Sequence, residues 1–125
     1  MTKIGVSLLS GGMDSTTVTT YAKNNCDQLS ALTFLYGQNH SIEVDCAKNI
    51  VQYLGVEHEL IDISFLEKVA WYSALTNPDS FPVPQNSPSE ILGSSIPITY
   101  VPLRNTIFMS LSAAYLESKV LHAIE

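Results

Sequence analysis

The amino-acid sequence predicts an open, doubly wound parallel α/β sheet. Three observations predict it. Short apolar runs alternate with helical patterns in the order strand, helix, strand, helix, strand, helix, the arrangement in which right-handed crossovers join parallel strands. The first run, Ile4-Gly5-Val6-Ser7-Leu8-Leu9, is largely apolar on both faces, as a strand covered from two sides requires. It ends in the turn Ser10-Gly11-Gly12-Met13-Asp14-Ser15, which opens directly into a segment able to wind as a helix.

Taken in order, Lys3 to Leu9 is the first strand, and a helix from about Asp14 to Asn24 follows, stopped by the polar pair Asn24-Asn25. Leu29 to Tyr36 is the second strand, closed by Gly37. From Ser41 to Leu54 the apolar residues Ile42, Cys46, Ile50, Val51 and Leu54 recur mostly at three- and four-residue spacing, an amphipathic helix with Gly55 as its stop. His58 to Ile63 is the third strand, and Ser64 is expected to cap a short helix through Trp71-Tyr72. Thr76 to Pro102 then holds all six prolines and no sustained periodicity. A stretch of that kind inside a compact domain predicts a functional loop, here an active-site lid or substrate loop. Order returns at Arg104-Asn105, with Asn105 as N-cap. The helical stripe of Ile107, Phe108, Leu111, Ala114 and Tyr115 follows, with Ser110, Ser112 and Ala113 interleaved for close packing. Val120 to Ile124 reads as the start of a fourth strand. The expectation is therefore a single domain over residues 1–125, incomplete at its C-terminus, with the proline-rich loop at 76–102 inside it. An interrupted fourth strand would leave an open edge, which predicts a homodimer or aggregation.

The glycine turn has the chemistry of a phosphate cradle. Two glycines let the backbone approach an anion, the unpaired N–H groups of the first helical turn point at it, and Ser10 and Ser15 add hydroxyl donors. No lysine lies in the turn, so it is not a G-x-x-x-x-G-K-[ST] loop. A divalent metal or a cation from elsewhere must balance the phosphate charge, and Asp14 is the nearest residue to face a Mg²⁺ ion. Arg104 supplies a cation at a helix start, where the macrodipole disfavours one, and so reads as a phosphate contact. Tyr36, Gln38 and His40 follow the carboxyl end of the second strand, where ligands bind in such sheets. His40 reads equally as an ordinary surface histidine. His58 and His122 read as structural, and Trp71, Tyr72 and Tyr53 as core or interface residues.

Composition narrows the function. Six Lys and Arg face twelve Asp and Glu, a net charge of −6, and the basic residues stand singly. Without a basic stripe, no nucleic-acid partner and no membrane surface is expected. No stretch reaches the length needed to cross a bilayer and no signal-peptide pattern opens the chain, so a cytoplasmic protein is expected. Cys26 and Cys46 lack C-x-x-C spacing and read as free thiols.

Ser-Gly-Gly-Met-Asp-Ser after a first strand resembles the pyrophosphate-binding loop of the PP-loop ATP pyrophosphatases, with a Rossmann-like, adenine nucleotide alpha hydrolase-like fold. Further stretches resemble one branch. Leu32-Thr33-Phe34-Leu35-Tyr36-Gly37-Gln38-Asn39-His40, with Glu43 following, is similar to L-T-F-x-Y-G-Q-x-H. Leu54-Gly55-Val56-Glu57-His58 with Ile61-Asp62 is similar to L-G-V-x-H…I-D. Thr99-Tyr100-Val101-Pro102-Leu103-Arg104-Asn105-Thr106-Ile107-Phe108 is similar to T-Y-V-P-x-R-N-x-I-F. Together they resemble the 7-cyano-7-deazaguanine (preQ0) synthase family of queuosine and archaeosine biosynthesis. The resemblance implies an ATP-dependent ligase joining 7-carboxy-7-deazaguanine and ammonia through adenylated intermediates. It implies ATP and Mg²⁺ as cofactors, bound by Leu9, Ser10, Gly11, Gly12, Met13, Asp14, Ser15, Thr16 and Thr17. Asp14, Ser15 and Arg104 would serve catalysis, and Tyr36, Gln38 and His40 would bind the small-molecule substrate. Two departures stand out. Leu103 occupies a position usually glycine in the family, and the family's four-cysteine zinc site lies in a C-terminal part, so zinc is expected only in the longer form. The alternatives are another PP-loop ATP pyrophosphatase, of tRNA-modifying or amidotransferase type, and a non-catalytic ATP-binding module.

Overall fold

The computed structural model describes residues 1–37, 41–72 and 101–125. Gln38, His40 and the proline-rich loop as far as Tyr100 lie outside them. The elements are β1 (Ile4–Leu8), α1 (Met13–Asn25), β2 (Gln28–Leu35), α2 (Ser41–Leu54), β3 (Glu57–Asp62), the short α3 (Leu66–Val69) and α4 (Arg104–Ala123). The three strands form one parallel sheet in the order β1-β2-β3, with Leu8 beside Leu32 and Leu35 beside Asp62.

Strand alternation decides which layer each side chain meets. On one face, Ala31 of β2 packs with Leu9 and with Ala47 and Val51 of α2, flanked by Ile50 and Val56. The buried Ser7 hydroxyl meets that of Thr19 in α1 at 3.0 Å, so α1 lies on this face too. Phe34, three residues after Ala31 on β2, points the other way and stacks on Phe108 of α4, ring centroids 4.9 Å apart. Helices therefore cover both faces, as the doubly wound reading requires. Ala31 and Ala47 are fully buried; their small side chains let α2 approach the sheet closely. Burial of Leu9 and Leu32, at 2% and 0% exposure, is worth about 1.5–3 kcal/mol for each side chain.

α4 runs antiparallel to the strands. Its first residue, Arg104, meets Tyr36 beyond the carboxyl end of β2. Lys119, near its other end, pairs with Glu57, the first residue of β3, at 2.6 Å. Ile124 shares a cavity with Met1, Ile4 and Gln28 at the strands' amino ends.

Several expectations are corrected. Val120 to Ile124 is not a fourth strand: the α4 helix continues through Ala123. No glycine or proline interrupts Leu116 to Ala123, and a short apolar run is equally compatible with either element. The chain accordingly ends at the amino ends of the strands, away from the predicted crevice, and the dimer argument from a fourth-strand edge falls with the strand. Ser64 does not cap α3. Its N–H and hydroxyl both donate to Asp62 Oδ1, at 2.9 and 2.6 Å, in a turn closing β3, and α3 ends at Val69. Asn105 is not the N-cap of α4; the cap position is Leu103, in the left-handed region at φ 53°, with no side-chain cap bond. On α2 the buried positions are Ala47 and Val51, whereas Ile42 and Cys46 are exposed. Tyr53, Trp71 and Tyr72 are exposed as well, the last two in mutual edge contact. Ser110 and Ala113 face outward.

Candidate active site

The carboxyl end of β1 leads straight into the predicted cradle. Leu9 extends the sheet by one bond, its N–H donating to the Leu32 carbonyl at 2.8 Å. Gly11 then adopts φ +90°, a conformation costly for any residue with a Cβ. Space forbids a side chain there as well, since a Cβ would stand 2.5 Å from the Glu43 carbonyl oxygen in the first turn of α2. Gly12 sits at the N-cap of α1 without a side-chain cap bond. The first helical bond is Thr16 N–H to the Gly12 carbonyl, 3.1 Å, so the amides of Met13, Asp14 and Ser15 have no intrahelical acceptor.

The serines close the turn on itself. Ser15 Oγ accepts from the Ser10 N–H at 3.0 Å, lies 3.0 Å from Ser10 Oγ, and donates to the Gly12 carbonyl at 3.3 Å. Thr16 and Thr17, also expected at the nucleotide, lie in the first turns of α1. Their hydroxyls donate back along the helix to the carbonyls of Gly12 and Met13, at 2.6 and 2.9 Å, the usual bond of a threonine inside a helix. The threonine-rich α1 thus satisfies its own polar groups while Thr19 is buried against Ser7. Asp14 stands exposed in the first turn of α1.

A cavity of about 230 Å³ opens over the carboxyl ends of β1 and β2. Ser10 and Ser15 form its polar end and Phe34, Tyr36 and Phe108 its aromatic wall, with Glu43 also at its edge. Tyr36 and Phe108 are tilted at 60° with centroids 5.7 Å apart. The Arg104 guanidinium reaches the Tyr36 hydroxyl at 3.4 Å, one helical turn from Phe108. The structure therefore brings Ser10, Ser15 and Tyr36 into one cavity and places Arg104 against its wall; Asp14 does not line it.

Sequence reasoning passed over Phe34, Phe108 and Glu43 as site residues. Phe108 reads as helix stripe and Phe34 as strand core. Their common signal was position, since both fall beside the carboxyl end of β2. Among the described residues no three His, Cys, Asp or Glu side chains come together as a metal site, and no helix is long and apolar enough to cross a membrane. For Mg²⁺ the donors present fit only a phosphate-held ion, which the Asp14 carboxylate would meet from the first turn of α1.

Sheet, crossovers and glycine turn define the class: a doubly wound α/β domain with helices on both faces of a parallel sheet. In agreement, the fold is similar to the NH3-dependent NAD synthetase of Campylobacter jejuni, solved with a nitrate ion, with a TM-score of 0.55 at 22% identity over 90% of this chain and 42% of that one. Within that class the match is specific. Residues 4–125 match the family model of the queuosine biosynthesis protein QueC, and the chain belongs to that family. It is similar to the 7-cyano-7-deazaguanine synthase of Syntrophus aciditrophicus, 45% identical over 92% of the chain and 48% of the relative. The synthase of Cupriavidus pinatubonensis is 46% identical over 94% and 50%, and that of Picrophilus torridus 45% over 90% and 45%. The chain spans about half the length of these curated relatives.

Proposed function

We propose that the chain is the ATP-binding part of a cytoplasmic 7-cyano-7-deazaguanine synthase, with the pyrophosphate end of ATP in the Ser10–Ser15 turn. The observation that carries the reading is Gly11, held at φ +90° against the Glu43 carbonyl and followed by first-turn amides that have no intrahelical acceptor. Identity near 45% to synthases along nearly the whole chain supports the substrate assignment.

Each residue then has a defined task. Amides of Met13, Asp14 and Ser15 receive the β- and γ-phosphate oxygens, and the Ser10 and Ser15 hydroxyls exchange their mutual bonds for bonds to phosphate. Phe34, Tyr36 and Phe108 offer faces on which a base can stack, and Arg104, steered by Tyr36, brings the cation that the turn lacks. Asp14 is the residue that would hold a Mg²⁺ ion beside the phosphates, and such an ion would supply charge stabilisation for the departing pyrophosphate. The substrate carboxylate attacks the α-phosphorus of ATP, a P–O bond forms, and the bond to the β-phosphate bridging oxygen breaks, releasing pyrophosphate. Ammonia displaces AMP to give the amide, and a second adenylation of the amide oxygen permits loss of AMP and formation of the nitrile. Positioning and electrostatics supply the catalysis, so no nucleophilic triad is needed.

The test is release of AMP and pyrophosphate from ATP with 7-carboxy-7-deazaguanine and ammonia, using the longest native chain. Turnover that depends on both substrates, and is abolished by Asp14→Asn or by Ser15→Ala in a folded protein, is the expected result. Nucleotide binding without turnover would favour a non-catalytic ATP-binding module instead.

A further inference from the structure

A chain of polar contacts, buried at Thr33 and Leu9 and half-buried at His58, connects β3 to the root of the phosphate turn. The Thr33 hydroxyl lies 2.6 Å from the Leu9 carbonyl and 2.8 Å from His58 Nε2. Thr33 and Leu9 are both buried, at 5% and 2% exposure. Leu9 is the last residue before the turn, so its peptide plane sets the direction in which Ser10 and Gly11 leave the sheet.

A hydroxyl has one proton to give. At 2.6 Å from a carbonyl oxygen, which can only accept, Thr33 must give it to Leu9. Toward His58 it can therefore only accept, and His58 must carry its proton on Nε2. The hydroxyl is held in that orientation from behind, by the imidazole. Without the Nε2–H donor, the Thr33 rotor is free to seek other partners, and a buried oxygen loses one of its bonds.

We propose that His58 is a positioning residue for the phosphate turn, acting through the Thr33 hydroxyl to fix the Leu9 carbonyl at the turn's root. The inference rests on reading the turn as a phosphate cradle. It gives His58 a role at a distance: the imidazole lies on the third strand of the sheet and touches no part of the Ser10–Ser15 turn itself.

The experiment uses the full native chain, pyrophosphate with Mg²⁺ as probe, and calorimetric titration, with folding checked by thermal denaturation. Thr33→Val is expected to weaken binding about tenfold and His58→Leu about fivefold, magnitudes of one lost buried hydrogen bond. His58→Gln, whose side-chain amide can place a donor near the same point, is expected to restore affinity to within about twofold of the parent. Ring ¹⁵N resonances of His58 in the parent give a second measurement that needs no variant: Nε2 is expected to be protonated and Nδ1 bare at neutral pH. A folded His58→Leu chain with parental affinity, a His58→Gln chain as weak as His58→Leu, or an Nδ1–H tautomer overturns the proposal. Failure of the parent to bind pyrophosphate overturns the cradle reading instead, and the two failures are told apart by the parent's titration alone.

Discussion

Replacing Gly11 by alanine tests the site geometry at its tightest point. The new Cβ would lie 2.5 Å from the Glu43 carbonyl oxygen and 3.1 Å from Cys46 Cβ, at a backbone φ of +90°. The carbonyl belongs to the first turn of α2, so relief requires moving backbone rather than turning a side chain. Left-handed strain costs about 1–2 kcal/mol and overpacking about 1–3 kcal/mol. The sum, about 2–5 kcal/mol, corresponds to roughly 8–20 °C in Tm for a domain of this size. Gly12→Ala is the matched control. Its Cβ would meet only Ser10 Oγ, at 3.5 Å, with φ −84°, and a stability change within about 1 kcal/mol is expected. Thermal denaturation of both variants, with ATP titration of each, gives the readout. A Gly11→Ala chain as stable as Gly12→Ala, and still binding ATP, would refute the claim that the turn is pinned against α2.

Three further outcomes follow from named contacts. Arg104→Ala should lower kcat/KM for AMP formation on the order of 100-fold while leaving the denaturation midpoint nearly unchanged; a loss of stability without a loss of rate contradicts the role given to Arg104. Leu103→Gly should stabilise the chain by about 0.5–1 kcal/mol, because relief of left-handed strain exceeds the added chain entropy, and a lower denaturant midpoint would contradict it. His58 is held below the usual histidine pKa by burial, with Lys48 acting in the same direction and Glu59 opposing. The unfolded chain therefore takes up this proton first, so stability present above pH 6.5 should decline as pH falls from there through the depressed value. Denaturation of His58→Gln across the same window should lack that component, and an identical pH profile would contradict the assignment.

The parts of the fold visible in the sequence were those set by local chemistry. The span of α2 from Ser41 to Leu54 was read as found, because Gly55 stops it in the left-handed conformation that the sequence implied. The glycine turn was legible for the same reason. What the sequence hid depended on tertiary context. A run such as Val120 to Ala123 carries no local signal separating helix from strand, and only the antiparallel path of α4 down the sheet decides it. Ser64 looked like a cap until Asp62, two residues earlier, took its hydroxyl. Thr16 and Thr17 belong to the motif by position, yet helical geometry sends their hydroxyls to carbonyls four residues back. The aromatic wall required knowing that Phe108 and Phe34 meet across the layer between α4 and β2.

The central claim is that the Ser10–Ser15 turn holds the pyrophosphate end of ATP. A crystal of the chain grown with ATP and Mg²⁺ tests it most directly. The account predicts β- and γ-phosphate oxygens within hydrogen-bonding reach of the Met13, Asp14 and Ser15 amides; a nucleotide seated elsewhere, with those amides still facing solvent, would contradict it.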